Sequence, residues 1–213
     1  MVDIAKNHAT TTTPESYRLY PKPGTDQRQP EPTQPGPRHA VDRVEVLAPT
    51  ARAATMARYI LAGIRIALGF VFLWAFLDKV FGWGFATTPA KSWIDGGSPT
   101  QGFLSGSKGP FSGFFHTIAG TTFANVTFML ALAAIGTALI LGIGMRLAAI
   151  GGAVLTVMMW AAVLPPTNNP ILDDHLIYAA VLIVLALLGA GNTLGLGRAW
   201  TATPLVQRAP WLQ

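Results

Sequence analysis

The 213 residues contain no cysteine. The chain therefore has no disulfide, no thiolate nucleophile, no cysteine-ligated iron–sulfur cluster and no c-type haem attachment. Charge is scarce as well. Only 12% of residues are charged while 51% are hydrophobic, and the mean hydropathy is +0.41. Soluble domains carry roughly 25% charged residues, so this composition belongs to the membrane class. The net charge of +5 comes without a basic patch or a nucleic-acid motif, which sets nucleic acid aside as a partner. No metal is expected either, because Asp173, Asp174, His175 and His116 do not follow a recognised ligand spacing. GAGNTLGLG at 189–197 misses the third glycine of a dinucleotide fingerprint by one position, and it ends an apolar run instead of following a strand. No haem, iron–sulfur or flavin motif is present.

Residues 1–50 have no apolar stretch that would serve as a secretory signal. They carry proline at 14, 21, 23, 30, 32, 35, 37 and 49, with charges of both signs. Such a segment buries too little apolar surface to offset its ordering entropy. A disordered cytoplasmic tail is expected there.

What remains is dominated by apolar runs. The expected fold is all-α: an integral membrane four-helix bundle over 51–197, with helices at about 59–80, 123–143, 147–164 and 170–191. A cytoplasmic C-terminal tail at 198–213 follows. The run from Tyr59 to Leu77 is interrupted only by Arg65. The second and third runs meet at Gly142-Ile143-Gly144, a turn too short for anything but an antiparallel return. The third stops at Pro165-Pro166, where proline cannot extend a helix. Asn169 is the expected N-cap of the fourth, with Pro170 as its first residue. Arginines lie beside the first run, in the 142–146 turn and beyond 197, so both termini are expected in the cytoplasm of a multi-pass plasma-membrane protein. A long outer loop joins the first two helices. Within it Pro110 followed by Phe111, Phe114, Phe115 and Ile118 has the spacing of a short helix.

Ionisable residues gather at the expected outer ends. Asp78 and Lys79 close the first helix, pointing about 100° apart, and Asp78 is expected to face the fourth helix. Asp173, Asp174 and His175 open that helix, with Tyr178 one turn on. The plain alternatives are an interfacial anchor for the first pair and helix-dipole capping for the second set. The chemical alternative is one cluster in which Asp78, Asp174 and His175 handle protons. In it Arg65, Trp74, Lys79, His116, Asp173 and Tyr178 line a substrate or quinone site. Arg65 has its own two options: snorkelling or bundle packing, or holding an anionic or carbonyl ligand. Trp74, Trp83, Trp93 and Trp160 suit an aromatic belt, or a ring stacked on quinone.

RIALGFVFLWAFLDKVFGWGF (65–85), SWIDGGSPTQGFL (92–104), KGPFSGFFH (108–116), LILGIGMRLAAIGG (139–152) and LPPTNNPILDDHLIYA (164–179) together resemble the DoxX/DoxD family of small four-helix membrane proteins, actinobacterial members above all. The resemblance spans about 59–200 and implies a membrane subunit linked to redox chemistry. The DoxD branch implies a thiosulfate:quinone oxidoreductase, in which thiosulfate is oxidised to tetrathionate and quinone takes the electrons. The cofactor so implied is quinone. The resemblance implies a second redox subunit as partner; the bilayer and further copies of the chain are the other partners expected. The alternative function is a non-enzymatic membrane scaffold, or a partner subunit of an envelope redox or stress-response complex.

Overall fold

The computed structural model describes residues 50–213, and the tail expected over 1–49 lies outside them. The described residues are helical and without strands. Helix α1 (Ala51–Phe81) starts at Thr50, whose hydroxyl accepts from the Ala53 N–H at 3.3 Å, and stops at Gly82 with φ 65°. It begins earlier than its apolar run because the alanine-rich ARAATMAR segment continues the helix outward. Its buried residues, Ala62, Arg65, Leu68, Gly69, Phe72 and Asp78, form one stripe at helical spacing.

Between α1 and the next long helix the chain is ordered and partly helical. A 3-10 turn (Pro89–Lys91), α2 (Gln101–Ser105) and α3 (Ser112–Ile118) occupy it. Helix α3 is the short helix announced by Pro110, and it buries Phe115 while Phe111 and Phe114 stay exposed. Helix α4 (Thr122–Leu141) follows, capped by the Thr121 hydroxyl and ended by Gly142 at φ 73°. Gly144, also left-handed, starts α5 (Met145–Val163).

Helix α6 (Asp174–Leu187) is shorter at both ends than the 170–191 expected. The Asn169 side chain accepts from the N–H groups of Ile171 and Leu172, which makes a turn there and not a helix cap. Asp173 caps instead. At the other end Gly189, at φ 62°, diverts the chain into a 3-10 turn (Ala190–Asn192). The C-terminal segment is also folded. Helices α7 (Gly197–Thr201) and α8 (Pro204–Arg208) and a last turn (Pro210–Leu212) pack under the α4–α5 connection, where the Gln213 carbonyl accepts from the Arg146 N–H at 2.6 Å. Val206 is fully buried there.

Helices α1, α4, α5 and α6 pack together, α1 on α4 and α5 on both α4 and α6. Their shared core holds Leu68, Phe72, Leu132, Ile135, Leu139, Met145, Ala148, Leu182 and Leu185. The α1–α4 approach depends on small residues. A Cβ on Gly136 would stand 2.7 Å from the Leu73 nitrogen, and one on Gly69 2.9 Å from Leu139 Cβ. Among the described residues three helices, α1, α4 and α5, are long and apolar enough to cross a bilayer, with mean hydropathies of 2.2, 2.0 and 1.7 over their spans. The protein is therefore a membrane protein. Large apolar side chains such as Phe123, Leu130 and Ile150 point outward from these helices, the arrangement expected where lipid is the solvent.

Gly136→Val should lower stability by about 2 to 3 kcal/mol through overpacking against the Leu73 backbone. Gly63→Ala, whose Cβ meets nothing within 4 Å, should leave it unchanged or slightly raised. Thermal unfolding in detergent separates the two.

Candidate functional site

Arg65 is fully buried, and the structure assigns it the packing option. Its Nη1 donates to the carbonyls of Leu139 and of Ile140, the latter at 3.0 Å. Its Nη2 donates to Thr193 O at 3.3 Å and Leu194 O at 2.8 Å. The first two acceptors lie in the last turn of α4, whose carbonyls have no partner within the helix. The other two belong to the GAGNTLGLG stretch, where Leu194 sits at φ 50°. A leucine in that region costs about 1 to 2 kcal/mol, and its carbonyl is held in place by the guanidinium. All four terminal N–H groups are thus engaged by the protein. Only Nε is buried without a partner.

Asp78 is 1% exposed, and its side-chain hydrogen bonds go to the chain just beyond α1 instead of to α6. Its carboxylate accepts from the backbone N–H groups of Phe85 and Ala86, at 3.4 and 3.0 Å. The carbonyls of Asp78, Lys79 and Val80 accept from Gly82, Trp93 and Ile94. Residues 82–97 thereby close the open end of α1, and Asp78 is their anchor. Ser92, fully buried, donates to Asp95 at 2.5 Å within the same segment.

The other expected members have partners of their own. Asp173 caps α6 and bonds the His175 ring, Nδ1 to Oδ2 at 2.6 Å. Asp174 is exposed in the first turn, and Tyr178 packs at the edge of the core. The His116 ring nitrogen bonds Ser107 O at 3.0 Å. Trp74 sits among Phe70, Trp83 and Phe85, with ring centroids 5.2 to 5.7 Å away. Among the described residues no hydrogen bond or ion pair joins Asp78 to Asp173, Asp174 or His175, and no group of three His, Asp or Glu side chains is placed to hold a metal.

Lys79 instead stands at an apolar cavity of about 290 Å³ between the end of α1, the α2–α3 segment, α4 and α5. Phe103, Phe115, Phe128, Leu155 and Met158 line it, with Thr100 and Thr127. The Lys79 ammonium lies 6.0 Å from the Phe128 ring centroid. Among the described residues it has no carboxylate within 4 Å and no hydrogen-bond acceptor. Phe123, Val154 and Met158 are exposed at the cavity's rim, so it opens on the face that lipid covers. Asn125 fixes Thr100 of the lining in place: its side chain bonds Ser98, the N–H and hydroxyl of Thr100, and the Gly120 carbonyl. Neither Asn125 nor Phe128 stands out in the sequence, since a lone asparagine and a phenylalanine in an apolar run carry no pattern. No family model, curated protein or solved structure matches this chain.

Arg65→Lys should cost roughly 3 to 5 kcal/mol, because one ammonium cannot serve four carbonyls arrayed for a planar fork and leaves buried acceptors unpaired. Chemical or thermal unfolding of the purified variant measures it. The loss should appear without any ligand present.

Proposed function

We propose that this chain is a quinone-binding subunit of a membrane redox complex of the DoxX/DoxD kind, and that the quinone ring occupies the cavity beside Lys79. The observation that carries it is an apolar cavity, open toward lipid, that holds a single ammonium. Its volume of about 290 Å³ is at the small end of ligand pockets, which run about 300 to 1,000 Å³. That suits a ring with its isoprenoid tail leaving between Phe123 and Met158. Bound quinone would supply a lipophilic acceptor of two electrons and two protons. Lys79 then donates a hydrogen bond to a ring oxygen and favours negative charge on it, Phe128 packs against the ring, and Thr127 offers a second donor. The chain has no cysteine, so electrons reach the ring from a partner or from the thiosulfate that the resemblance implies. Lys91 and Lys108 are the cations near that end for a sulfur anion.

The same proposal sets the topology at four crossings. Helix α6 has only 14 residues, about 21 Å at helical rise, and the flanking segments at 170–173 and 188–192 complete its passage. Among the described residues all four aspartates, 78, 95, 173 and 174, lie at one end of the bundle, and all six arginines lie toward the other. The arginine end is cytoplasmic by the charge rule, with both termini inside. A second reading, a non-enzymatic scaffold for a redox partner, draws on the exposed Phe81, Trp83 and Phe85 beside Trp74.

Protein purified in mild detergent should carry extractable quinone. Gly151 lines the cavity and its Cβ would meet nothing within 4 Å, so Gly151→Leu should expel quinone while leaving the unfolding temperature near wild type. Lys79→Met should weaken quinone binding about tenfold, the loss of one charge-assisted hydrogen bond. Quinone absent from wild type, with a partner protein co-purifying, would favour the scaffold.

A further inference from the structure

At the arginine end a second cavity, of about 430 Å³, lies between the start of the apolar part of α1 and the turn after α6. Its lining is mixed. Arg58, Arg198, Asn192, Thr193 and Thr201 supply polar groups, and Leu61, Leu188 and Ala190 apolar ones. Among the described residues the side chains of Arg58, Arg198 and Asn192 make no hydrogen bond or ion pair, and both guanidiniums are exposed. The other arginine that lines a cavity at this end, Arg146, is engaged by Pro210 O at 3.2 Å. No aspartate of the described residues lies at this end.

We propose that this cavity binds the phosphate headgroup of an anionic phospholipid. Two guanidiniums present forked donors that match phosphate oxygens, and the Asn192 amide adds a further donor. A free anion would need only the polar groups. The apolar lining is continued along both helices: Ile64, one turn inward from Leu61, and Val184, one turn inward from Leu188, are both exposed large apolar residues. An acyl chain leaving a headgroup at Arg58 and Arg198 meets them. Basic pockets between membrane helices on the cytoplasmic side are where acidic headgroups bind. The proposal rests on the cytoplasmic placement of the arginine end and not on the quinone cavity, which lies at the other end of the bundle.

Delipidated protein in detergent micelles provides the test, with unfolding temperature followed against added phosphatidylglycerol, phosphatidylcholine or inorganic phosphate. Phosphatidylglycerol should raise the unfolding temperature, and phosphatidylcholine and inorganic phosphate should not. The Arg58→Gln, Arg198→Gln double variant should elute and unfold without lipid as wild type does, and need at least about tenfold more phosphatidylglycerol for the same shift. Arg208→Gln, an exposed arginine at the same end outside the cavity, should respond as wild type does. An unchanged response in the double variant, an equal loss in Arg208→Gln, or a full shift with inorganic phosphate alone would overturn the assignment.

Discussion

The Arg65 guanidinium is the contact on which the arginine end of the bundle depends. A charge within an apolar helix is costly to insert, up to about 2.5 to 3.5 kcal/mol at the helix centre, and here it is offset by four carbonyls that would otherwise lack a partner. Two of them end α4 and two follow α6. One side chain on α1 therefore joins the ends of two other helices. Glycine completes the arrangement. Gly142 lies against the guanidinium, and Gly142 and Gly191 are so close that a side chain at either would collide with the other's backbone. The glycine-rich stretch at 189–197 thus has a structural reason that no nucleotide supplies.

The opposite end of α1 solves the same problem differently. There the last-turn carbonyls are met by backbone N–H groups of residues 82–94, and the Asp78 carboxylate fixes the returning segment. Ordering 82–97 in this way brings α2 and α3 over α4 and α5 and forms the cavity. Lys79, one residue on and about 100° around the helix, is left to face it. The two neighbours divide the work: Asp78 is spent on the fold, and Lys79 is available to a ligand.

Much of the architecture was legible in the sequence for plain reasons. Helix α4 is an uncharged apolar run and α5 carries only Arg146, in its first turn; Gly142-Ile143-Gly144 and Pro165-Pro166 bound them, and nothing else fits those limits. The start of α6 was not, because Asn169 and Pro170 look like a cap and a first residue. Only the geometry shows the Asn169 side chain turned to Ile171 and Leu172. Arg65 was conspicuous as a buried charge, but backbone carbonyls leave no mark in a sequence, so its partners were invisible. Asp78, Asp174 and His175 were grouped because helical phase and depth agree. That logic has no information about residues 82–97, which fold back and take Asp78 first. The cavity draws on five segments of mostly apolar residues, and of its lining only Lys79 carries a chemical signal in the sequence, Phe115 and Ile118 showing there only the spacing of a short helix.

The claim that most needs a direct test is where a quinone would sit. A photoactivatable azidoquinone, irradiated with the protein in native membranes and mapped by peptide, should label 123–131 and 151–159. Label should fall when unmodified quinone is added in excess. Label confined to 173–178 and the surroundings of Trp74, or label that excess quinone does not displace, would contradict the account.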